Sequence, residues 1–183
     1  MTIEMKDGML TAGGATLFAG LSFRAQEGEV CSVDALPAAA HTPLMHALMG
    51  LTGLDEGFVC IDGEALTELS SPWLRRYMAY VPRRLRWPDE ERFRGMSDAE
   101  VHRLLMENAA AGDAPIVFVE GISGADDEEL CQRMAQNGKA VVVCREPSSE
   151  PASPTMTYEV REGDIIQHGP VVQEGELFNQ EMI

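Results

Sequence analysis

The chain has 183 residues, a hydrophobic fraction of 45% and a formal net charge of −16. That length can bury a sizeable core and favours a single domain over residues 1–183. The acidic balance argues against nucleic-acid binding, which needs Lys and Arg at phosphates; no apolar run reaches the roughly 18 residues of a membrane span, and the N-terminus has no signal-peptide character, so a cytoplasmic protein without membrane insertion is expected.

Polar–apolar alternation predicts two strands, residues 2–10 and 16–25, joined by a turn at Gly13-Gly14. A third strand ends near Val33. The next segment, residues 35–43, reads Ala-Leu-Pro-Ala-Ala-Ala-His-Thr-Pro and leads into a helical pattern at Leu44, Ala47, Leu48 and Leu51. Thr42 as N-cap and Pro43 at the first helical position set the expected helix start, and Gly50 or Gly53 its end. Residues 58–61 read as a strand entering a tight turn at Asp62-Gly63. Ser71-Pro72 opens a short helix, and residues 78–81 form a strand.

Residues 82–95 hold Pro82, Pro88 and five arginines, and predict no regular element. Ser97 and Glu100 form a capping box, continued at helical spacing by Val101, Leu104, Leu105 and Ala109. The apolar run 115–119 predicts a buried parallel strand. An acidic helix over 126–136 stops at Asn137-Gly138, and a second buried strand covers 140–144. A Pro/Ser loop (147–154), two short strands (155–160 and 164–167) and a weak C-terminal helix follow. Alternating strands and helices with β-rich ends indicate an α/β domain with an antiparallel accessory sheet. The four cysteines, Cys31, Cys60, Cys131 and Cys144, have no metal-site spacing and read as reduced core residues.

A strand, a loop of this length and a helix are the setting of a phosphate-binding loop, which requires glycines for close approach, a Lys for the phosphates and a Ser/Thr for Mg²⁺. Here alanines replace the glycines, His41 falls where the Lys belongs, and Pro43 removes a backbone donor. Charge is also uneven. Seven of the twelve arginines lie within residues 75–94 against three acids, a local net of +4, whereas residues 113–183 carry fourteen acids and four bases, net −10. Such asymmetry can steer a charged partner or describe a solvated surface.

Further landmarks are Leu17-Phe-Ala-Gly-Leu-Ser-Phe23, Glu27-Gly-Glu29, Leu48-Met-Gly-Leu51, Asp55-Glu-Gly57 with Ile61-Asp-Gly63, and Trp73-Leu-Arg-Arg76 with Tyr80-Val-Pro82. In this order and spacing they resemble the nucleotide-binding domain of ABC transporters almost from end to end. The resemblance implies a P-loop NTPase core with a parallel sheet and an N-terminal antiparallel β-subdomain. Only thirteen residues separate Pro82 from Met96. The helical subdomain that in this family docks the membrane-spanning partner is therefore largely deleted, with its remnant at about residues 83–96.

Carried over position by position, the resemblance puts family glycines at Ala35, Ala38 and Ala40, the lysine at His41 and the Mg²⁺ hydroxyl at Thr42. A methyl group at each former glycine disfavours left-handed angles and close approach to phosphate. His41 is expected to be a partly exposed loop histidine. Arg83 stands in for the loop glutamine, Met96-Ser-Asp-Ala-Glu100 for the signature, and Glu120-Gly121 for the Asp-Glu pair that ends the Walker B strand. Glu120 could hold a metal through water, but Gly121 supplies no general base. Arg145 takes the switch-histidine position, Ser123-Gly-Ala-Asp126 resembles the D-loop, and the adenine-stacking aromatic aligns near Thr11.

These losses imply no catalytic residue, no resident metal and no cofactor. The expected function is a non-hydrolytic binding, regulatory or structural subunit whose partner is a second copy, an intact ABC ATPase or a membrane-complex component. Ala38, Ala40, His41, Thr42 and Glu120 are the vestigial nucleotide site; Arg83, Arg84, Arg86, Trp87, Arg92 and Phe93 are the candidate partner surface, because aromatics beside arginines suit a hot spot. The alternative is a residual ATP- and Mg²⁺-binding transporter subunit with weak or partner-dependent ATPase activity. Binding of nucleic acid or another anion by the arginines of residues 75–94 is a third reading.

Overall fold

The computed structural model describes residues 1–33, 36–85, 91–145, 156–161 and 164–168. The C-terminal helix, the Pro/Ser loop 147–154, Asp34, Ala35, Arg86 and Trp87 lie outside them.

Two sheets organise the chain. The first is antiparallel in the order β2-β1-β4-β5, from strands β1 (Ile3–Ala12), β2 (Ala15–Ala25), β4 (Glu56–Ile61) and β5 (Glu64–Ala65). The second has the order β10-β9-β3-β8-β7-β6: β3 (Val30–Val33), β6 (Met78–Val81), β7 (Ile116–Ile122), β8 (Ala140–Arg145) and β9 (Met156–Arg161) run parallel, and β10 (Asp164–His168) closes it antiparallel to β9. The helices are α1 (Ala38–Leu48), α2 (Ser71–Leu74), α3 (Asp98–Ala111) and α4 (Ala125–Gln136). This is the expected mixed α/β plan with its N-terminal antiparallel part. Among the described residues between β6 and α3, the regular structure is one 3-10 turn, Glu91–Phe93, in keeping with a reduced helical part.

The parallel strands show why an unbroken apolar run is needed. Residues alternate in direction along a strand, so a strand covered on both faces must be apolar throughout. In β7, Ile116 and Phe118 enter a core shared with α1 and the antiparallel sheet, while Val117 and Val119 enter a second core with Met106 of α3 and Leu130, Cys131 and Met134 of α4. In β8, Ala140, Val142 and Cys144 face the first core, and Val141 and Val143 the second. Complete burial of a side chain such as Phe118 contributes about 2–3 kcal/mol before conformational entropy is counted. All four cysteines are buried and outside any disulfide, as expected, and burial pushes the Cys131 thiol well up, with the adjacent Glu128 charge adding to it.

Two local expectations require correction. Helix α1 begins at Ala38, not at Thr42-Pro43, with Pro37 in extended conformation as its N-cap. The three alanines are strong helix formers and carry the first turn, closed by the Ala40 N–H donating to the Pro37 carbonyl at 2.7 Å. Pro43 consequently lies inside the helix, where it withholds one donor. The short helix α2 takes Ser70, not Ser71, as its N-cap. By contrast the capping box forms as read: the Glu100 N–H donates to Ser97 Oγ, and the Ser97 N–H to Glu100 Oε2 at 2.7 Å.

Close approach of neighbouring backbone fixes Gly57. Gly57 has φ +78° opposite the irregular register of β1, and a Cβ there would run into the carbonyl oxygens of Lys6 and Asp7. Gly63 has φ +83° but faces open space. Gly57→Ala is therefore expected to lose about 2–4 kcal/mol in urea unfolding, against about 1 kcal/mol for Gly63→Ala; equal losses would contradict the packing described.

Candidate functional site

Parallel strands present their C-terminal ends along one edge, where open α/β sheets take ligands. Along that edge lies an open cleft of about 750 Å³, lined by Ala38, His41, Thr42 and His46 of α1, Tyr80 of β6, Pro82, Arg83, Arg84 and Leu85 beyond it, and Glu120 of β7. The structure thus brings Ala38, His41, Thr42 and Glu120 together along one cleft. Ala40 is turned into the core.

Glu120 is the centre of the site and is 3% exposed. The Thr42 hydroxyl donates to its Oε2 at 3.0 Å, and the Tyr80 hydroxyl donates to its Oε1 at 2.6 Å. Its backbone carbonyl accepts from Nε2 of buried His102 on α3 at 2.7 Å. The Tyr80 ring meets His46 edge-on at 6.3 Å. Burial, then the Glu120 bond and charge, raise the Tyr80 hydroxyl far above the ordinary tyrosine range.

His41 departs from its expected placement. It is 7% exposed, sits within α1, and its Nε2–H donates to the Leu36 carbonyl at 3.2 Å. The early helix start is the cause, because it carries the imidazole from a loop into the first turn and folds it back over the segment before the helix. Thr11, at the adenine-stacking position, is instead tied down, its N–H and hydroxyl both donating to Asp55 Oδ2 at 2.6 and 2.9 Å.

At the end of β8, Arg145 is 5% exposed and points to α4, with Nε–H donating to Glu128 Oε1 at 2.7 Å and an Nη2–H to Oε2 at 3.2 Å. Its other terminal nitrogen donates to Ser32 Oγ of β3. The residue at the switch-histidine position therefore joins β3, β8 and α4. Gly121, with φ +76°, follows Glu120 at a register irregularity between β7 and β8.

The arginine-rich surface is divided. Arg83, Arg84 and Arg92 are exposed, Arg84 pairing with Asp98 at 3.1 Å, whereas Arg86 and Trp87 fall outside the described residues. Phe93 is not a surface anchor: it is 7% exposed, and the 3-10 turn aims it inward beside Leu85, Met96, Val101 and Leu105.

Sequence reasoning missed Tyr80 and Glu128. Glu128 carried a signal, since it falls on the apolar stripe of α4 three and seven residues before Cys131 and Ala135, where an acid needs a buried partner. Tyr80 carried none beyond its place at the end of a strand.

The five-stranded parallel array, the antiparallel N-terminal sheet and the start of α1 at the cleft match the fold of the ATP-binding subunits of ABC transporters. One such subunit superposes with a TM-score of 0.69 over 92% of this chain and 90% of its own at 15% identity. CbiO1 of Clostridium perfringens, described as part of the ABC transporter complex cbiONQ, gives 0.69 over 92% and 88% at 10% identity. A nucleotide-free ATP-binding cassette from an ABC transporter gives 0.70 over 93% and 92% at 11% identity. In sequence, 72 residues, 39% of the chain, are 40% identical to the ribose import ATP-binding protein RbsA of Bacillus licheniformis, and the match spans 14% of that relative's length. No profile of a known protein family matches. The chain is thus related to ABC ATP-binding domains, and no helix among the described residues is long and apolar enough to cross a membrane.

Two measurements check this geometry. Arg145→Met leaves Glu128 buried and unpaired and is expected to lose about 3–5 kcal/mol in chemical unfolding, with most of it regained in Arg145→Met/Glu128→Leu; an additive double variant would contradict a pairwise tie. Because the Tyr80 hydroxyl is raised, its proton favours the folded chain, and that stability is complete below the ordinary tyrosine value of about 10 and declines as pH rises beyond it. Absorbance titration at 295 nm is expected to show one of the three tyrosines ionising only as the fold opens, an effect absent from Tyr80→Phe.

Proposed function

We propose that this chain, acting as one domain over residues 1–183, is an ABC ATPase-like module that pairs with another protein and does not hydrolyse ATP. The observation that carries this reading is the first turn of α1. His41, at the position the resemblance gives to the phosphate-binding lysine, is buried and committed to the Leu36 carbonyl. Groups that stabilise a transferring phosphoryl each account for orders of magnitude in rate. Gly121 has no carboxylate to act as base, and Arg145 is held by Glu128.

The donor set also suits Mg²⁺–nucleotide poorly. Both oxygens of Glu120 are engaged by hydroxyls of the protein, and Thr11 is bonded to Asp55 where an aromatic would stack. A partner role is supported by the exposed Arg83, Arg84 and Arg92, and by the fold itself, one of whose structural neighbours is described as part of a transporter complex. The partner is a second copy, an intact ABC ATPase or a membrane-complex component, met in the cytoplasm.

A second reading rests on one contact. Thr42 and Glu120 lie within 3.0 Å of each other, as a hydroxyl and a carboxylate would in a residual ATP-binding subunit with weak or partner-dependent activity. Calorimetry with Mg²⁺–ATP separates the two: no heat at millimolar nucleotide is expected here, and saturable binding would favour the second reading. Light scattering with co-purification from the native host tests the pairing. A self-dimer, or a stoichiometric ABC ATPase or permease, is expected, and a monomer that retains neither would contradict it.

A further inference from the structure

We propose that Tyr80 acts as a built-in stopper of the divalent-cation position: its hydroxyl, with that of Thr42, occupies the carboxylate of Glu120 so that the cleft rejects Mg²⁺ and similar cations. The inference deepens the reading above and concerns the same cleft. A chain that takes up the cation yet releases no phosphate overturns it and leaves that reading intact.

The geometry supports each step. Mg²⁺ demands near-octahedral oxygen ligands, commonly one or two carboxylates completed by waters and phosphates. The cleft offers the single carboxylate of Glu120, and among the described residues no three His, Cys, Asp or Glu side chains gather as a metal set. Each oxygen of that carboxylate accepts from a hydroxyl, at 3.0 Å from Thr42 and 2.6 Å from Tyr80. A cation approaching Glu120 would have to displace at least one of them. A glutamate reaches one methylene further from the backbone than an aspartate would, toward the hydroxyl on the adjacent strand.

Tyr80 is not easily displaced. Its backbone is paired with Phe118 in the β6–β7 ladder, and its ring is braced edge-on by His46 at 6.3 Å. The three bonded groups come from α1, β6 and β7, so the bridge also fastens, without metal, the elements around the cleft.

Mn²⁺ alone, followed by electron paramagnetic resonance of the free ion, tests this. The wild-type chain is expected to show no binding at Glu120 up to millimolar Mn²⁺. Tyr80→Phe, which keeps the ring and removes the hydroxyl, is expected to bind at least about tenfold more tightly, and Tyr80→Phe/Glu120→Gln to lose that gain. Tyr80→Met serves the same purpose should the phenylalanine variant lose its circular-dichroism signature. Submillimolar binding by the wild type that vanishes in Glu120→Gln would overturn the proposal, as would a folded Tyr80 variant that binds Mn²⁺ no better than the wild type.

Discussion

A carboxylate at the end of a strand buried on both faces needs donors from whatever elements surround it, because a bare buried charge costs several kcal/mol. Glu120 is in that position. Thr42 from α1 and Tyr80 from β6 converge on its two oxygens, and His102 from α3 takes its backbone carbonyl. One residue thereby ties together a helix from one face of the parallel sheet, a neighbouring strand and a helix from the other face. The shape of the cleft depends on that convergence.

The same logic governs the rest of the edge. Arg145 cannot stay buried without a partner, and Glu128 with Ser32 supplies it. His41 cannot stay buried without an acceptor, and the Leu36 carbonyl supplies it. At the positions where the ABC resemblance places a lysine, a Walker B acid and a switch histidine, polar side chains are satisfied within the protein. Such contacts hold elements together. The edge has the character of a set of internal struts.

The fold was legible because its signals were local and repeated. The continuous apolar runs ending at Val119 and Cys144 mark strands covered on both faces, and Ser97 with Glu100 marks a helix start through two reciprocal bonds. The start of α1 was not legible, because Thr42-Pro43 is an equally good local start, and the helix propensity of the three alanines together with burial of Ala40 favours the earlier one. His41 and Phe93 were misplaced for a related reason: one turn of helix, or one 3-10 turn, carries a side chain from solvent into the interior. The Tyr80–Glu120 contact joins residues forty positions apart, and composition along either strand does not encode it.

Loss of ATP hydrolysis is the central claim, and phosphate release from saturating Mg²⁺–ATP by the purified full chain tests it most directly. A rate indistinguishable from the protein-free background, unchanged in Glu120→Gln, is the result expected. Release above background that Thr42→Ala and Glu120→Gln each abolish would contradict it and restore Thr42 and Glu120 to a working nucleotide site.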